Sequence, residues 1–164
     1  MPTLKLKNGS FALADAPVET EITLDAWRDG VRPEAGRFAL VLPNDVKVEE
    51  VAGGLNRFAA IILQFPVFKD GRAYSQARLL RERYGYKGEI RARGNLLRDQ
   101  VLFMARVGFD GFDVGGEKVE AFAEALSEFS FFYQPAPDGA LPVWSRRAAR
   151  RDALLNSRLQ GRAA

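Results

Sequence analysis

"RFAAIILQFPVFKDGRAYSQARLLRERYGYKGEIRARG", residues 57–94, holds a strand, a helix and a second strand in one pass. Arg57 to Phe65 is a short apolar run bounded by a proline, which predicts a buried strand. From Ala73 to Tyr84 the apolar residues Ala73, Ala77, Leu80 and Tyr84 fall at helical spacing, and Gly85 can end the helix. "GEIRARG" then alternates, placing Ile90 and Ala92 on one face and Glu89, Arg91 and Arg93 on the other. Two strands joined through a helix make a parallel pair, because parallel neighbours need a crossover connection.

The same alternation extends outward. "RFALVLP" (Arg37 to Pro43) predicts a strand, and "NDVKVEEVAGG" a short helix stopped at Gly53. Asn95 can cap a helix from Leu96 to Val107 that Gly108 closes; "FDGFDV" is a strand, "KVEAFAEALSEF" a helix and "SFFYQP" a last strand. The segment from Leu4 to Leu13 adds a sixth strand as an antiparallel hairpin arm. The fold class is therefore α/β, with a mostly parallel sheet of about five strands and alternating helices, as an open sheet or a partial (β/α) barrel. Residues 1–144 form a single domain, with Leu141, Val143 and Trp144 expected to pin its end to the core. Residues 145–164 are an Arg-rich tail that stays flexible or forms an isolated helix.

The chain of 164 residues contains no cysteine and no histidine. Disulfides, thiolate-bound zinc or iron–sulfur centres, thiol nucleophiles and Ser-His-Asp triads are thereby excluded within this chain. Carboxylate, tyrosine, lysine and serine remain for acid, base or nucleophile work. The longest apolar run is shorter than a membrane span and the start lacks a secretory h-region, so a cytoplasmic protein is expected. Neither the phosphate loop nor the dinucleotide fingerprint occurs. No cofactor is assigned.

The net charge of +3 hides a polarised distribution. Residues 69–93 carry +5 and residues 145–164 another +5, leaving −7 on the rest. In parallel sheets ligands sit at the carboxyl ends of strands, where helix N-termini point free N–H groups at anions. If the strands ending at Phe65 and Arg93 are neighbours, Lys69, Arg72, Ser75, Gln76, Arg93 and Asn95 converge into an anion site. Arg72 and Arg93 would be its clamps, and Tyr74 or Asp99 the candidate proton-transfer group. Asp110, Asp113 and Glu117 lie near another strand end and could gather magnesium, although a strand–turn–helix connection uses the same residues, and no metal is assigned.

The run from "FPVFKDGRAYSQARLLRERYGYKGEIRARGNLLRDQ" through "FMARVGFDGFDV" resembles the bacterial domain of unknown function family 934 over about Phe38 to Gln134. The resemblance implies a link to assimilatory sulfate reduction, since members tend to be encoded beside the sulfite reductase haemoprotein and some carry the label of an oxidoreductase in sulfite reduction. It brings no catalytic residue. Two functions follow as expectations. One is an accessory protein of sulfite reduction whose basic segment binds an acidic partner, such as the sulfite reductase haemoprotein, or an anionic ligand. The other is a small-molecule enzyme acting on a sulfur-pathway anion or nucleotide cofactor. Nucleic-acid binding through the tail ranks last, because no aromatic residues interleave its arginines.

Overall fold

The computed structural model describes residues 3–7, 10–14, 19–32, 37–114 and 119–160. Seven strands form one sheet: β1 (Thr3–Lys7), β2 (Ser10–Ala14), β3 (Thr20–Thr23), β4 (Phe38–Leu42), β5 (Ala60–Phe65), β6 (Glu89–Gly94) and β7 (Gly111–Asp113). Their order is β2-β1-β7-β6-β5-β4-β3. Strands β3 to β7 are parallel and each lies beside its predecessor, whereas the β1–β2 hairpin joins antiparallel along β7. This is the winding of a (β/α) barrel left open, with β2 and β3 as free edges, and it lacks the reversal of strand order that makes the crevice of a doubly wound sheet.

Helices α1 (Leu24–Arg28), α2 (Arg72–Glu82) and α3 (Val101–Val107) connect β3 to β4, β5 to β6 and β6 to β7, and α4 (Val119–Ser127) and α5 (Val143–Gln160) follow the last strand. Stepping always in one direction puts right-handed crossovers on one face. Alternate strand residues Leu40, Ile61, Leu63, Ile90 and Phe112 accordingly share one core with Trp27 of α1, Leu80 of α2, Met104 of α3 and Phe122 of α4. On the reverse face Ala39, Ala60, Ile62 and Val41 form a small apolar cluster.

Several expectations shift. The hairpin arm forms as expected, and β3 is a strand that the periodicity does not predict, because four residues with one buried side chain give little periodic signal. Residues 130–135 form no strand. The run after β4 is a pair of 3-10 turns, Val48–Glu50 and Ala52–Arg57, where Gly54 is packed against the Trp27 indole with no room for a Cβ. The Leu96 to Val107 helix is a 3-10 turn, Arg98–Gln100, running into α3, and Asn95 does not cap it; its backbone N–H donates to the Phe65 carbonyl instead (2.8 Å). Leu141 and Trp144 are exposed, and the described part of the Arg-rich segment lies in α5.

Candidate functional site

Strands β5 and β6 are neighbours, with Gln64 beside Arg93 and Phe65 beside Gly94, so the condition for a strand-end site is met. Its side chains then divide between two sides of the sheet. Arg72, Ser75 and Gln76 line one hollow of about 240 Å³ with Asn44 and Asp45 from the end of β4. Lys69 and Asn95 are exposed in the neighbouring loops, and Arg93, alternating with the core residue Ala92, lies on the reverse face.

The anion received by Arg72 is the chain's own. Arg72 Nε and Nη2 donate to Asp70 Oδ1 (2.9 Å) and Oδ2 (2.5 Å), and the Arg72 backbone N–H, at the start of α2, donates to Asp70 Oδ1 (3.1 Å). These bonds hold the Asp70 carboxyl far below the usual carboxylate range. Gln76, 5% exposed, donates from Nε2 to the carbonyls of Pro43 and Val46, both at 2.8 Å, fastening the β4 loop to α2. Gln100 does the same for the β5 loop through the Phe68 carbonyl (2.9 Å).

Tyr74 stands edge-on to Phe65, ring centroids 5.6 Å apart. Burial first, and the Asp99 charge second, push its phenol up to about 12. At neutral pH it is therefore a hydrogen-bond donor and not a base. Asp110 receives Arg81 and the Ile90 N–H, while Asp113 receives Arg93 and Thr3; Glu117 lies outside the described residues. Among the described residues no three carboxylates are grouped to hold a metal ion.

The reverse face carries what the residue pattern alone did not show, a continuous ion network. Arg93 reaches Glu21 (2.6 Å) and Asp113 (2.7 Å); Arg91 reaches Glu19 (3.0 Å) and Glu89 (3.0 Å); Lys5 reaches Glu89 (2.7 Å). Arg91, Glu19 and Asp113 have side chains only 3%, 1% and 3% exposed. Strands β3 and β6 are three spacings apart, about 14 Å in a flat sheet. Arg93 can grip Glu21 only because the sheet coils, and the small Ala39 and Ala60 beneath leave room for the long side chains. The alternation of "GEIRARG" was the available signal, but its charged face was the one to pair with β3, not to meet solvent.

The depressed carboxylates make this network acid-sensitive. The hydrogen bond from Arg93 holds Glu21 below its usual value; burial pushes Glu89 up, but the bonds from Arg91 and Lys5 outweigh it and leave it lowered. A depressed folded-state pKa contributes stability that is present above the unfolded value, near 4.5, and is lost as pH falls through the folded one. Urea midpoints should thus hold level from about pH 7 to 5 and drop below about pH 4.5. A midpoint unchanged at about pH 3.5 would mean that the network adds nothing to stability.

The central arginines are engaged in the same way on the helix side. Arg81 donates to the carbonyls of Gly108 (3.0 Å), Tyr86 (2.6 Å) and Gly88 (2.9 Å) and pairs with Asp110; Arg78 pairs with Glu82 and Arg83 with Glu49. Among the described residues Arg146, Arg147 and Arg150 form one exposed group without a carboxylate partner on α5, whereas Lys47, Arg57, Lys69 and Lys87, also exposed and without one, are scattered singly over the body.

Fold and site together define a small, singly wound α/β domain whose central arginines brace its own sheet and loops and whose C-terminal helix carries a group of exposed arginines without carboxylate partners among the described residues. The chain belongs to the family of bacterial proteins of unknown function DUF934, whose model matches residues 39–144, from β4 to the start of α5. No curated protein matches it. Among the described residues no helix is long and apolar enough to cross a membrane.

Proposed function

We propose that this protein is an accessory of assimilatory sulfate and sulfite reduction that binds an acidic partner protein, the sulfite reductase haemoprotein being the first candidate. The observation carrying this reading is the division of its arginines. Arg72 and Arg93, the two side chains best placed to clamp a small anion, already hold Asp70, Glu21 and Asp113. Arg146, Arg147 and Arg150 face outward beside exposed aromatic rings, an arrangement suited to a macromolecular surface. The pathway rests on the resemblance of the "DGRAYSQARLLRERYGYKGEIRARG" segment to proteins encoded beside that enzyme.

Association is then electrostatically steered and salt-sensitive. The full chain should bind purified haemoprotein at about 50 mM salt and lose most of that binding at about 500 mM, as followed by calorimetry. Equal affinity at both salt levels, or no binding at either, would refute the reading. A native mass spectrum of protein from sulfate-grown cells gives an independent check. A subunit-sized addition supports the accessory role, and a tightly held small molecule overturns it in favour of an enzyme.

A further inference from the structure

Between α4 and α5 the chain runs without regular structure and is fastened to the body by Arg98, which lies 3.8 Å from Glu128, and above all by Arg106. Arg106, in the last turn of α3, donates to Asp138 Oδ2 (3.0 Å) and the Gln134 carbonyl (2.6 Å), and its guanidinium lies 3.9 Å from the centroid of the Phe132 ring. The Val143 N–H donates to the Phe132 carbonyl (2.8 Å), so the start of α5 is held against the same segment. What remains between them is a groove of about 410 Å³ lined by Phe131, Tyr133, Val143, Arg146, Arg147 and Arg150.

The helix residues of this groove follow the i, i+3, i+4, i+7 spacing of one helical face. Phe131 is 61% and Tyr133 72% exposed, and the Arg146 guanidinium sits 5.0 Å from the Phe131 ring centroid. Leu141 and Trp144, at the start of α5, are exposed as well. Exposed rings in water are unfavourable unless something covers them, and contiguous patches of this kind mark interaction sites. The three arginines decide the sign of what covers it. With no carboxylate partner among the described residues, they repel a basic partner and favour an acidic one.

We infer that the groove between residues 131–133 and α5 is a docking site for an acidic polypeptide segment of a partner protein, carrying one apolar side chain that inserts among Phe131, Tyr133 and Val143. This rests on the partner-binding reading above and names its surface and the chemistry of its occupant. A nucleic acid fits less well, since its phosphates need a track of cations, and here they line one wall of an apolar hollow.

The test uses the full chain and a short fluorescent peptide rich in Glu and Asp with one central Leu, followed by anisotropy. The peptide should bind in a salt-sensitive manner, and replacing its Leu by Gln should weaken binding. The protein variant Phe131→Ser/Tyr133→Ser should bind about 30-fold more weakly, the loss typical of truncated aromatic anchors. Arg147→Glu/Arg150→Glu should flatten the salt dependence. All four positions are exposed, so circular dichroism and the thermal midpoint should match the parent chain.

Equal peptide binding by the aromatic variant overturns the inference, as does tighter occupancy of the groove by a single-stranded oligonucleotide or by a second copy of this chain. If the aromatic and arginine variants still bind the haemoprotein as the parent does, the groove falls and the accessory function stands. If the peptide binds but the haemoprotein does not, the groove stands and the partner is a different protein.

Discussion

Arg91→Ala should lower folding stability by about 3–5 kcal/mol, the cost of removing one partner from a buried ion pair. Arg91 is nearly inaccessible and serves Glu19 and Glu89 at 3.0 Å, with Asp113 at 3.8 Å. Alanine would leave the almost fully buried Glu19 with only Arg37 (3.0 Å), whose side chain is largely exposed, so the penalty is the poorly compensated desolvation of that carboxylate more than the loss of the bond itself. A domain of this size has about 5–15 kcal/mol in total, so the variant should unfold at a far lower urea concentration. The double variant Arg91→Met/Glu19→Gln should recover part of the loss by removing both charges together, and the resulting cycle isolates their coupling. A single-variant loss below about 1 kcal/mol would show that water reaches the network and screens it.

Gly94→Ala is the second large effect. Gly94 ends β6 with φ of +123°, a conformation L side chains rarely adopt, and a Cβ there would be driven into the Phe65 carbonyl. The unfavourable backbone alone is worth about 1–3 kcal/mol, and the clash adds to it because its target is main chain that cannot rotate away. The Asn95 N–H to Phe65 carbonyl bond would be lost with it, loosening the β5 and β6 loops around Lys69 and Asn95. Expression in soluble form with an unchanged thermal midpoint would count against this account. Gly53→Ala is the control, since nothing lies within 4 Å of a Cβ there and φ is ordinary.

The two substitutions mark how differently parts of the molecule could be read from sequence. The helix over residues 73–84 and the strands on either side were legible because each announces itself by local spacing, and α2 and β6 fall within a residue or two of the expected bounds. The last predicted strand failed for the opposite reason. Phe131, Phe132 and Tyr133 have high strand propensity, but the segment joins neither edge of the sheet, β2 or β3, and Arg106 captures it instead. The candidate site was legible as a set of residue types and not as a set of partners. Nothing in "KDGRAYS" separates an arginine that awaits a ligand from one that already grips the aspartate two residues before it.

Local periodicity therefore carried the fold class, the order of its central elements and the wealth of cations, since each depends on residues within a turn or two of one another. The destination of those cations was a tertiary matter. Arg91 and Arg93 find Glu19 and Glu21 across 72 positions of chain, and only because β3 lies three strands away on a sheet that coils. Arg106 reaches 32 positions on to Asp138 and so builds the groove at α5. Charge is written residue by residue, but whether it is spent inside the molecule or shown to a partner depends on curvature and long-range pairing, which no local pattern encodes.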